Sequence, residues 1–246
     1  MPASKILILG GTAEAAKLAS AFAPLPVESI NSLAGRTANP TAISGKIRTG
    51  GFGGANGLAA YMVNEKINFL IDATHPYATR ISQNAVRASE ITTIPLLRLE
   101  RPEWQKQTAD NWIKVASEAQ AATMIPAGEN VLLALGRQHI APFAERNDVH
   151  FVIRMIDPPE VKLPQYCEIV LAKPGNYEAE LQFLSERKIS LIVSRNSGGS
   201  ISYAKIKAAR DLAIPVLMIS RPLVAAKTIV ATVEEALDFA RTVLRF

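Results

Sequence analysis

A chain of 246 residues with 48% hydrophobic and 20% charged side chains can bury a sizeable core, as one α/β domain or two small ones, and no apolar run reaches the ~18 residues of a membrane span. The net charge of +5 comes from lysines and arginines scattered rather than clustered, which argues against nucleic acid and for a small anionic partner. Cys167 is the single cysteine, so no intrachain disulfide can form and a cytoplasmic, reducing compartment is expected; no secretory segment is evident, and His75, His139 and His150 lack metal-ligand spacing, so no metal is expected.

The first element is a short buried strand, Lys5 to Leu9, followed by a turn at Gly10 and Gly11 and a helix beginning near Thr12. Glycines let backbone approach a ligand, and the helix start presents free N–H groups and a partial positive charge, a place for phosphate. The dinucleotide fingerprint G-x-G-x-x-G is absent, so a plain structural turn competes with this reading.

A second strand, Pro26 to Asn31, runs into Ser32-Leu33-Ala34-Gly35-Arg36. In a dinucleotide fold an acid at this point binds the ribose of NAD, whereas an Arg accommodates the 2′-phosphate of NADP. Here Arg36 stands where the acid would be, against the alternative of a solvated loop residue. A third strand, Ile43 to Thr49, opens into Gly50-Gly51-Phe52-Gly53-Gly54 and a helix to about Glu65. A fourth, Asn68 to Asp72, ends in Ala73-Thr74-His75-Pro76. Ligands of open α/β sheets bind beyond the carboxyl ends of the strands, which puts Thr74 and His75 on the same edge as Gly10. A lone loop histidine is ordinarily a hydrogen-bonding residue, so His75 is a candidate catalytic group without a stated partner.

A helix from Tyr77 to Ser89 and a strand from Ile94 to Leu97 complete a first domain, residues 1–104. The aperiodic polar stretch 105–111 reads as a linker, and 112–246 as a second domain. Its expected strands are Trp112 to Val115, Val131 to Leu135, Val149 to Ile153, Ser190 to Ser194 and Pro215 to Ile219. Helices are expected at Ala116 to Met124, Tyr177 to Glu186, Ser202 to Ala213 and Val233 to Leu244. Strand and helix alternate throughout, so the expected fold is α/β, two Rossmann-like doubly wound parallel sheets facing a cleft. Arg98, Arg137, Arg154, Arg195 and Arg221 each end or follow an expected strand. Such a line of guanidinium groups suits a ligand with several carboxylates, although some of the five would be paired with nearby acids instead.

These motifs, in this order, resemble the precorrin-6A reductase family of cobalamin biosynthesis over nearly the whole chain. The likeness rests on Gly10 to Thr12, Ser32 to Arg36, Gly50 to Gly54, Asp72 to Pro76, Arg101-Pro102, Gly136-Arg137, Asn196 to Gly199, Lys205 and Arg221-Pro222. The resemblance implies a cytoplasmic enzyme that uses NADPH to reduce a double bond of a ring-contracted, polycarboxylate tetrapyrrole, with or without cobalt. With no membrane or nucleic acid expected from composition, the resemblance adds other enzymes of the same pathway as partners. By that likeness Gly10, Gly11, Thr12, Ser32, Arg36, Gly51 and Thr74 hold the cofactor with His75 near it, and Arg195, Asn196, Ser197 and Gly198 face the substrate. Where this chain has Arg195, relatives are expected to carry Lys.

Two other functions compete. Tyr203 and Lys207 have the YxxxK spacing of short-chain dehydrogenases, in which the lysine assists proton transfer by the tyrosine, but the glycine pattern of that family is missing. A non-enzymatic NADP-binding sensor would need only the first half, and the arginines of the second half argue against it.

Overall fold

The computed structural model describes residues 3–35, 43–159, 161–200 and 202–246. The chain forms two compact units, Met1–Pro102 with Pro222–Phe246, and Glu103–Arg221.

In the first unit β1 (Ser4–Leu9), α1 (Ala13–Phe22), β2 (Val27–Leu33), β3 (Lys46–Thr49), α2 (Ala55–Asn64), β4 (Phe69–Asp72), α3 (Thr79–Thr92) and β5 (Leu96–Leu99) precede the passage to the second unit. The sheet order is β12-β5-β4-β1-β2-β3, where β12 is Ile229–Val230, and every pairing is parallel. Successive side chains of β1 point to opposite faces, and both faces are covered. Ile6 and Ile8 pack with Leu18 and Phe22 of α1, while Leu7 and Leu9 pack with Leu58 and Met62 of α2 and Ala85 of α3. That double burial is why β1 reads as an unbroken apolar run.

The second unit contains β6 (Trp112–Val115), α4 (Glu118–Met124), β7 (Asn130–Ala134), β8 (His150–Met155), β9 (Cys167–Leu171), α5 (Tyr177–Glu186), β10 (Leu191–Arg195), α6 (Ala204–Asp211) and β11 (Val216–Ile219). Its sheet, β6-β11-β10-β7-β8-β9, is again parallel throughout. Leu132, Val152, Ile192 and Met218 pack with Leu184, Ile206 and Ala209 on one face. Both units are therefore doubly wound α/β sheets. The strand order reverses between β1 and β4 in the first and between β7 and β10 in the second, the places where such sheets receive ligands.

Residues 222–246 belong to the first unit, not to the second as the sequence suggested. Ile229 of β12 lies opposite Arg98 of β5, and α7 (Val233–Leu244) buries Ala236 and Ala240 in the α1-side core. The helix is closed at its start by a capping box of Thr232 and Glu235, and its apolar stripe covers a sheet face that α1 alone leaves bare. The stretch 105–111 is likewise no free linker. Asp110 is buried, receives the Gln107 backbone N–H at 2.7 Å and pairs with Arg210 of α6 at 2.8 Å. Strands β9 and β12 went unread, one because it is a half-exposed edge strand and the other because two residues leave no periodicity. Among the described residues no helix is long and apolar enough to cross a membrane.

Candidate functional site

At the first switch point the backbone makes the site. The Gly10 N–H donates to Ser32 O at 3.0 Å and that of Ala73 to Leu9 O at 2.9 Å, which ties together the ends of β1, β2 and β4. Gly11 has φ +106, a conformation that disfavours a side chain, and a Cβ there would meet nothing within 4 Å. Space thus lies beside the start of α1. Thr12 caps that helix by accepting the Ala15 N–H at 3.1 Å while its own hydroxyl donates to Ala73 O at 2.7 Å, so its hydroxyl is structural. Its hydroxyl proton is therefore spent, and an anion would be left with its backbone. After β3 a Cβ on Gly51 would also meet open space.

The loop after β4 is built on Asp72. One carboxylate oxygen accepts the Thr74 N–H at 3.1 Å and the Thr74 hydroxyl at 2.6 Å, and the other accepts from Arg98 at 2.5 Å. Arg98 also donates to Ser82 Oγ at 2.6 Å and Glu100 at 2.6 Å, and is 1% exposed. Thr74 and Arg98 were expected at the cofactor and the substrate; both side chains instead hold up this loop. Arg98 lies inside β5 rather than beyond it, in a strand buried on both faces. His75 follows, half-buried, its Nδ1 accepting the Tyr77 N–H at 3.3 Å. Arg36 lies outside the described residues. Ser32 is buried and accepts at 3.2 Å from Arg48, a residue the sequence reading passed over although it stands two places before Gly50.

The second unit's arginines divide. Arg154, inside β8, makes a two-point pair with Glu180 of α5 at 2.7 and 2.8 Å, both buried, and the same carboxylate receives the Gly175 N–H. It is a core brace and not a substrate contact. Asn196 clamps Trp104, accepting its N–H at 2.8 Å and donating to its carbonyl at 3.0 Å, so its amide too is turned inward. Arg221 donates to the Asn196 carbonyl at 2.7 Å and lies 3.7 Å from Glu103. Ser197 and Gly198 are buried in the same turn.

At the second switch point stand Arg195, ending β10, and Arg137, in the short 3-10 turn Arg137–His139 after β7. Arg195 lies 3.2 Å from Glu118 at the start of α4, and His139 Nδ1 donates to the same oxygen at 3.0 Å. The His139 hydrogen bond, with Arg195 beside it, holds the Glu118 carboxyl down to about 2, so it is ionised at neutral pH. This triad of imidazole, carboxylate and guanidinium was not expected; its members are far apart in sequence. It sets an imidazole and a guanidinium against one carboxylate oxygen at the sheet edge.

The dehydrogenase pair is not assembled. Tyr203 Oη accepts from Arg210 at 2.6 Å and Gln107 at 3.1 Å, while Lys207 Nζ lies 4.0 Å over the Tyr177 ring. Burial of Lys205, between them, lowers its pKa to about 7, with its Nζ donating to Ser202 O at 2.9 Å and lying 5.0 Å from the Trp104 ring.

Comparison with known proteins gives a consistent answer. The sequence matches the family described as "Precorrin-6x reductase CbiJ/CobK" over residues 5–241. It is 44% identical to the "Precorrin-6A reductase" of Rhodococcus erythropolis, covering 89% of this chain and 90% of that one. To the "Cobalt-precorrin-6A reductase" of Priestia megaterium it is 30% identical over 70% of this chain and 73% of that one. The solved structure titled "CobK precorrin-6A reductase" superposes with a TM-score of 0.91 at 38% identity, covering 98% of this chain and 97% of that one. With a sequence match over most of its length and a shared pair of doubly wound sheets, the chain belongs to the precorrin-6x reductase CbiJ/CobK family, whose members are oxidoreductases.

Proposed function

We propose that the chain is an NADPH-dependent reductase of precorrin-6A, acting in the cytoplasm on a carbon–carbon double bond of that ring-contracted tetrapyrrole. The observation that carries the reading is the open backbone turn at Gly10 and Gly11, at the first sheet's switch point, in a chain of this family. Its helix start suits the cofactor's diphosphate, and the space beside Gly11 and Gly51 fits a flat ligand against bare backbone. Bound there, NADPH would supply the hydride. Ser32, near the end of β2, and Arg36 take the adenosine side, and the Asp72-braced loop of Thr74 and His75 takes the side nearer the chemistry.

The substrate's acetate and propionate arms fall to the second unit. Arg137 and Arg195 bind them at the switch point, with Ser197 and Gly198 offering backbone and hydroxyl contacts. The cobalt-free form is favoured because identity to the relative named for it is 44%, against 30% for the one named for the cobalt form.

Purified protein should oxidise NADPH only when precorrin-6A is added, with the pigment's absorption moving to shorter wavelength as conjugation is interrupted. Arg195→Ala should weaken pigment binding by ~1.5 to 3 kcal/mol and leave NADPH affinity within about twofold. If no tetrapyrrole, with or without cobalt, accelerates NADPH oxidation, the reading falls and a sensor takes its place.

A further inference from the structure

Arg48 is the third residue of β3, paired in register with Ser32 of β2. Its guanidinium is fixed on several sides. Nη1 donates to Ser32 Oγ at 3.2 Å and Gly50 O at 2.6 Å, Nη2 donates to Gly51 O at 2.7 Å, and Cζ lies 3.8 Å over the Phe52 ring and 5.1 Å from that of Tyr61. Of the five N–H groups of an arginine these bonds use three. The remaining two are on Nε and Nη2, which share one edge of the planar group, the edge that forms a fork with a carboxylate or phosphate.

Its electrostatic setting is unlike that of Arg98, Arg101, Arg154 and Arg195. Arg98 meets Asp72 and Glu100, Arg101 meets Glu14, Arg154 meets Glu180, and Arg195 meets Glu118. Among the described residues no ion pair involves Arg48; its acceptors are two carbonyls and a hydroxyl, which leave its charge uncompensated. The group also sits beside the end of β2, where a dinucleotide fold places the adenosine ribose.

We propose that Arg48 is a specificity-determining residue for the cofactor, its Nε–Nη2 edge receiving the ribose 2′-phosphate. The inference rests on the reading that the first unit binds NADPH. Because acceptors and an aromatic face already hold the guanidinium, little ordering is left to the binding step. The bonds to Gly50 and Gly51 also brace the glycine loop. A residue that only braced this loop would affect phosphorylated and unphosphorylated cofactors alike.

The test is to titrate the full chain with NADP+ and with NAD+ by calorimetry, in the wild type and in Arg48→Lys and Arg48→Gln, with melting temperature recorded for each. The expected result is a wild-type preference for NADP+ that drops at least tenfold in Arg48→Gln, with NAD+ affinity changed less than threefold. Arg48→Lys, which keeps the charge and loses the fork, should fall between the two. Equal loss for both cofactors, or no loss for either, would overturn the role of Arg48 while leaving the NADPH reading standing. A wild type without preference for NADP+ would overturn both.

Discussion

The two units are alike in sheet, connection and switch point, yet their carboxyl edges are made differently. The first presents backbone: open glycines, a helix start, and the guanidinium of Arg48 set against carbonyls, while Arg98 and Arg101 are paired with acids. The second presents side chains, and most of its charge is balanced internally, Arg154 by Glu180 and Arg195 by Glu118. A diphosphate can be held by N–H groups that any sequence possesses, provided glycine lets it approach. Carboxylate arms need guanidinium groups, and one such as Arg195 must receive an arm while it is also paired with Glu118. The comparison therefore separates arginines that build the edge from arginines that face outward from it.

The largest effect should come from breaking the builders. Arg98→Ala leaves Asp72, 2% exposed, without its cation, and Arg154→Ala does the same to Glu180, 1% exposed. Each should cost about 3 to 5 kcal/mol in urea unfolding. A loss confined to ligand binding, with stability unchanged, would return them to the substrate side of the comparison.

Lys205 sharpens it next, because it is a buried cation beside the Arg154–Glu180 pair and is pushed down to about 7 by burial first and by Arg154 second. Its folded pKa is depressed below the unfolded 10.5, so between about pH 7 and 10.5 the unfolded chain binds more protons. Stability contributed at this site therefore rises with pH in that window. Lys205→Met should be more stable than the wild type at pH 7, and that advantage should shrink by about 2 kcal/mol by pH 9. A pH-independent difference would show that the amine titrates normally.

A smaller effect is expected on cofactor choice. Arg36→Ala should raise the KM for NADPH at least tenfold, ~1.4 kcal/mol, and leave that for NADH nearly unchanged. Equal losses would remove it from the 2′-phosphate.

The smallest concerns Glu118. Its pKa is lowered from 4.5 to about 2, so the stability it contributes is present above pH 4.5 and is lost as pH falls toward 2. The carboxylate is half-exposed, and screening limits the effect to roughly 1 kcal/mol. His139→Ala should flatten this acid limb, since the His139 hydrogen bond is the first cause of the shift; an unaltered limb would remove the imidazole from that role.

Local pattern was enough for much of this molecule. An apolar run buried on both faces announces a parallel strand, as at β1, and glycines at a strand end announce an open turn, as at Gly10 and Gly11, because both signals reside in consecutive residues. The alternation of strand and helix then determines the fold class. Where arginines point is another matter. Arg98 and Arg154 each stand one residue inside the end of a strand buried on both faces, and that displacement decides between core and edge. Asn196 faces Trp104, Glu118 meets His139 and Arg195, and residues 222–246 return to the first sheet. Each of these is a meeting of groups distant in sequence, chosen by which buried charge needs a partner and which bare sheet face needs a cover, and neither need is written in any single stretch of the chain.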